Sequence, residues 1–160
     1  MRKTAIYFFL LLNLFLVKTN DAQVSAPSLK CASVNNLGNI TLNWVIPSDP
    51  LGLFTSYQIY TSPISTGPFT LVTTVNTYTQ STYLHATNAG TIQSQYYYIK
   101  TIYSGTSNSL PSDTLRSIFL NVVNPGGQAM LSWNATRTPL LSSAATTYTL
   151  ERENPPMTWS

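Results

Sequence analysis

Charge is scarce in this chain: 8 Lys and Arg, 5 Asp and Glu, among 160 residues. Cysteine and histidine are scarcer still, at one each, Cys31 and His85. A single cysteine excludes an intramolecular disulfide within these residues and leaves no multi-cysteine zinc set. A single histidine, with no acid within a few positions, offers neither a catalytic triad nor a metal cluster. No stretch after Pro27 carries a helical apolar period, so helical architectures drop out. No glycine loop precedes a helix, and Gly126 and Gly127 stand in a turn between strands, so phosphate cradling is not expected.

The first residues, MRKTAIYFFLLLNLFLVKTNDAQ, place Arg2 and Lys3 before an apolar run from Ala5 to Val17 that ends near small Ala22. This order predicts a secretory signal peptide over residues 1–22, cut before Gln23. The run is shorter than the roughly 20 apolar residues a bilayer span needs, so no membrane span is expected after cleavage. The segment takes much of the positive charge with it. The remainder holds Lys30, Lys100, Arg116, Arg137 and Arg152 against Asp49, Asp113, Glu151 and Glu153, a net of +1. So sparse a distribution gives no footprint for nucleic acid or anionic lipid.

What remains is rich in Thr, Tyr and Val, in short runs separated by turn residues, and reads as all-β. Expected strands cover Leu29–Val34, residues 39–45, 55–61, 69–75 and 81–86, then a long aromatic strand within SQYYYIKTIYS that should lie centrally in its sheet. The last falls within DTLRSIFLNV. Seven such strands at roughly 8–12 residue spacing predict a β-sandwich. Alternation puts Ile40, Leu42 and Trp44 on one face, with Tyr57, Ile59, Leu71 and a tyrosine or isoleucine of the long strand as further core residues.

The chain also repeats itself. VNNLGNITLNW, Val34 to Trp44, returns as VNPGGQAMLSW, Val123 to Trp133, 89 positions later with five identities in eleven. TSYQIYTS returns as TTYTLERE, with Tyr148 for Tyr57 and Leu150 for Ile59. A period near 90 matches a whole small β domain rather than a solenoid unit. The expected organisation is one sandwich over residues 23–117 and an incomplete second copy over 118–160, because three strands do not close a sandwich. The join, DTLRSIFLNV, has neither glycine nor proline, which favours rodlike stacking over a flexible tether.

Trp44 ending the second strand, Tyr57 and Ile59 thirteen and fifteen residues on, Tyr96, Tyr97 and Tyr98, and SLPSDT (Ser109 to Thr114) together resemble a fibronectin type III domain. An immunoglobulin domain would need a disulfide between its two sheets and tryptophan on the third strand. The resemblance implies an immunoglobulin-like sandwich and a tyrosine corner at Tyr96 or Tyr97. The integrin-binding Arg-Gly-Asp is absent from the YSGTSNSLPS loop. The signal ending in AQ, with YYYIKT and SDTLRSIFLNV, further resembles surface proteins of Bacteroidetes associated with gliding motility, which usually carry a C-terminal sorting domain.

Against this frame Cys31, aligned with Leu120, is expected to fill a core slot on the first strand, with pairing to a cysteine elsewhere as the alternative. His85 is expected on a strand surface. Glu151 and Glu153 fall on one face of one strand, unlike the opposed carboxylates of a glycosidase. Asn39-Ile-Thr and Asn134-Ala-Thr are glycosylation sequons that matter only in a eukaryotic host. No catalytic, cofactor-binding or metal-binding residue is expected. The anticipated function is a non-catalytic spacer or adhesive module of a secreted or cell-surface protein, with an unknown protein or carbohydrate as partner. The alternative is the accessory arm of a larger secreted hydrolase.

Overall fold

The structure, a computed structural model, describes residues 25–104 and 111–135 and two short strands near the end. The signal-like residues 1–22 lie outside it, as do residues 105–110 and most of the expected third strand of the second copy. The described residues are all-β, with antiparallel pairing throughout. The strands are β1 (Ser28–Val34), β2 (Ile40–Val45), β3 (Phe54–Ser62), β4 (Thr70–Val75), β5 (Thr82–His85), β6 (Tyr96–Tyr103) and β7 (Leu115–Arg116). They form two sheets ordered β1-β2-β5 and β4-β3-β6-β7. The long aromatic strand β6 does lie inside its sheet, between β3 and β7.

Alternation then assembles the core. From the first sheet Leu29, Ile40, Leu42 and Trp44 point inward; from the second come Tyr57, Ile59, Val75, Tyr97, Ile99 and Leu115. The two inner faces pack as a β-sandwich. Trp44 meets Tyr57 edge-on with centroids 5.6 Å apart, and Phe54 tilts onto Tyr57 at 4.6 Å. The Trp44 Nε1–H is buried without a hydrogen bond among the described residues. The indole therefore stabilises by apolar area and ring contact, not by its polar atom. The Tyr57 hydroxyl donates to the Tyr78 carbonyl at 3.0 Å, and the Tyr78 hydroxyl donates to Pro47 O at 2.7 Å, which ties the loops over the tryptophan end of the core.

Two core assignments from the sequence are corrected, and for one reason. A β-bulge gives one strand an extra residue and reverses its alternation beyond that point. In β1, Leu29 pairs with Trp44 and Cys31 with Asn43, so Lys30 has no partner. Cys31 is consequently exposed, and Ala32 and Val34 turn inward instead. In β4, Thr73 pairs with Ile59 and Leu71 with Tyr60, skipping Val72. Leu71 is left 51% exposed, and Val72 packs against the core in its place.

The repeated stretch has a structural meaning. After β7 comes a hairpin of β8 (Leu120–Val123) and β9 (Met130–Trp133). Leu120 pairs with Trp133 and Val122 with Leu131, as Leu29 pairs with Trp44 and Ala32 with Leu42. Pairing thus makes Asn121, not Leu120, the counterpart of Cys31, because the second hairpin lacks the bulge. The shared glycine is explained as well: Gly38 and Gly127 both adopt left-handed backbone, φ 81° and 84°. At Gly38 space is also short, since a Cβ would stand 2.8 Å from Asn88 O. Gly90 N–H donates to Gly38 O, which locks the β1–β2 turn onto the loop after β5. Beyond this, β10 (Glu153–Asn154) pairs with β11 (Thr158–Trp159).

Candidate functional site

His85, at the end of β5, is half-buried and not a plain surface residue. Its Nδ1 lies 2.8 Å from the hydroxyl of fully buried Tyr97, and the two rings meet edge-on. Of the two candidates for a tyrosine corner, Tyr97 is therefore the one in the core, and its hydroxyl meets a side chain. Burial lowers the His85 pKa, which favours the neutral ring. Burial likewise pushes Tyr97 up to about 12. Tyr57 is also raised to about 12 by burial, with Tyr78 adding to the rise. These groups stay neutral near pH 7 and hold the two sheets together. No described group of three or more His, Cys, Asp or Glu side chains is arranged to hold a metal ion.

The other singled-out residues also prove to have structural work. Asp49 accepts from the backbone N–H groups of Leu53 at 3.0 Å and Phe54 at 2.9 Å, fixing the loop into β3. Both sequon asparagines are engaged. Asn39 Oδ1 accepts from Thr87 N–H, and Asn134 donates through Nδ2 to Ser117 O and Ala135 O while accepting from Phe119 N–H. Asn134 thereby pins the second hairpin to the end of the first sandwich. A glycan on its Nδ2 would compete with those bonds. The side chains of Glu151 and Glu153 lie outside the described residues.

One concavity was not visible in the sequence. A cleft of about 760 Å³ runs between β1 and the segment 115–120, lined by Lys30, Cys31, Val34, Arg116 and Phe119 among others. β1 has β2 as its one sheet neighbour, so its other edge opens toward this cleft. Its described lining brings two cations together and holds no carboxylate and no histidine. Among the described residues of the lining, Cys31 has no acid–base partner. No helix among the described residues is long and apolar enough to cross a membrane.

A second surface lies on the outside of the four-stranded sheet. Tyr60 and Tyr98 pair directly across β3 and β6, their rings stacked at 4.8 Å and 15°. Phe69 tilts onto Tyr98 at 4.9 Å, and Arg116 lies 5.2 Å over the Tyr96 ring. The signal for this face was present in YYYIK: once Tyr97 and Ile99 point inward, Tyr96, Tyr98 and Lys100 must point outward.

Comparisons with known proteins add little. No family model matches the chain, and no curated protein matches it. Among solved structures it is similar to a β-1,2-glucanase from Parabacteroides distasonis. That likeness has a TM-score of 0.45 at 19% identity, over 59% of this chain and 12% of the other. The chain thus spans a small part of that protein's length.

Proposed function

We propose that residues 23–117 form a fibronectin type III module and that residues 118–160 begin a second, in a secreted or cell-surface protein where such modules act as spacers or adhesive units without catalysis. The observation that carries this reading is the repeated hairpin. β8–β9 restates the pairing of β1–β2 down to tryptophan opposite leucine, as expected of modules in series. The sheet order supports the fibronectin choice. β4 joins β3, whereas in an immunoglobulin constant domain the fourth strand belongs to the sheet of the first two. Trp44 on β2 and the single cysteine agree with it.

The N-terminal sequence supports export, and the short Asn134-pinned join supports a stiff arrangement of neighbouring modules. The test is to isolate the product of the native gene from culture medium and cell surface, then measure its small-angle scattering. A rod of sandwich-sized units that releases no sugar from a polysaccharide panel is the expected result. A catalytic body attached to these residues would make them the accessory arm of a hydrolase instead.

A further inference from the structure

We infer that the outer face of the β4-β3-β6-β7 sheet is a binding platform for an acidic polysaccharide, of the polyuronate class. The inference rests on the reading of the chain as a secreted or surface module and names the partner of that module. The face is defined by register. One row runs Leu71, Tyr60, Tyr98; the next runs Thr74, Gln58, Lys100; at the β7 side Tyr96 stands beside Arg116.

Three features point to a sugar polymer. First, the aromatic rings gather on the side of the sheet turned away from the core, where the sandwich does not need them. Tyr60, Tyr96 and Tyr98 are half-buried, and Leu71 beside them is 51% exposed. Phenol rings with an apolar body and a polar tip suit pyranose rings, which present C–H groups on their faces and hydroxyls at their rims. Second, the charge is one-sided. These rows hold Lys100 and Arg116 and no acid, and Asp113 at the β7 edge is the one carboxylate nearby in sequence. Arg116 is held in place, its Nε donating to Ser94 Oγ at 2.7 Å while its guanidinium covers Tyr96. This anchored guanidinium and the Lys100 ammonium on the same face complement a carboxylate on every sugar. Third, the face is the open side of a sheet and not its edge. Peptides that add a strand need an edge and amphipathic helices need a groove, and this face offers neither; acidic peptides held by Arg clusters are the competing case that poly-L-glutamate separates.

The test is affinity electrophoresis of the full chain in gels containing polygalacturonate, dextran or poly-L-glutamate. Retardation by polygalacturonate well above that by either control is the expected result. Tyr98→Ala should weaken it about fivefold. Lys100→Gln should weaken it about twofold to threefold and flatten its dependence on salt. Lys100 is half-buried on the outer face and stands outside the core cluster, so this second variant keeps the test valid if Tyr98→Ala is poorly folded. No retardation by polygalacturonate, equal retardation by poly-L-glutamate, or wild-type retardation in both variants would overturn the inference and leave the module reading standing. Shortening of the bound polymer would support the platform and overturn the non-catalytic reading instead.

Discussion

The two hairpins of this chain carry the same short message and meet different fates. β1–β2 and β8–β9 share a left-handed glycine in the turn, a tryptophan near the end and a leucine opposite it. Yet Trp44 is 4% exposed and Trp133 is 36%; Leu42 is fully buried and Leu131 is 39% exposed. Local sequence therefore sets pairing, turn and alternation. Burial depends on what stands across the sandwich. For β1–β2 that is Tyr57, Ile59, Tyr97 and Ile99. The sequence counterparts of the first two, Tyr148 and Leu150, lie outside the described residues.

The sharpest way to break this comparison is to delete both tryptophans in turn. Trp44→Ala should cost about 3–5 kcal/mol, since it empties a packed position between the sheets. Trp133→Ala should cost less than about 1.5 kcal/mol, which urea unfolding of each variant will resolve. Equal losses would mean that the second hairpin is as well covered as the first.

The glycines give a smaller contrast of the same kind. Alanine at Gly38 or Gly127 meets a left-handed backbone, at about 1–2 kcal/mol. At Gly38 the new Cβ also stands 2.8 Å from Asn88 O, whereas no described residue lies within 4 Å at Gly127. Gly38→Ala is thus expected to exceed Gly127→Ala by about 1–3 kcal/mol in the same unfolding experiment.

A pH effect belongs to the first sandwich. His85 has its pKa lowered by burial, so the unfolded chain binds the proton more readily than the folded one. The resulting stability is fully present above the unfolded value near 6.5 and is lost as pH falls through the folded value. Thermal midpoints measured downward from pH 7.5 should decline across that window, and His85→Gln should remove this part of the decline. The smallest effect is expected at Cys31. It should react with a maleimide in the native state without prior unfolding, and Cys31→Ser should change stability by less than about 0.5 kcal/mol.

Much of this architecture was legible because strands announce themselves by period. Ile40, Leu42 and Trp44 alternate cleanly and are buried, and Tyr57 and Ile59 do the same on the facing sheet. The failures at Cys31 and Leu71 have one physical origin, a single extra residue that changes which side chains face the core. A bulge leaves no mark in composition: Lys30 and Val72 look like ordinary strand residues until their partners are known. The ungapped repeat misled at the same place, matching Cys31 with Leu120 because the alignment assumed equal strands. His85 was hard for another reason, since its partner Tyr97 lies in the other sheet and the contact exists once the sandwich closes. The cleft beside β1 likewise depends on how the join after β7 passes that strand. The outer tyrosine rows were within reach, and the open choice of register in YYYIK concealed them.

Amide hydrogen exchange across the two hairpins tests the central comparison most directly, since exchange reports how much structure must open to expose each backbone N–H. The expected result is slow exchange in β2, near the limit set by global unfolding, and much faster exchange in β9 through local opening. Equal, slow exchange in both would contradict the account, because it would show that the second hairpin already has a covered core of its own.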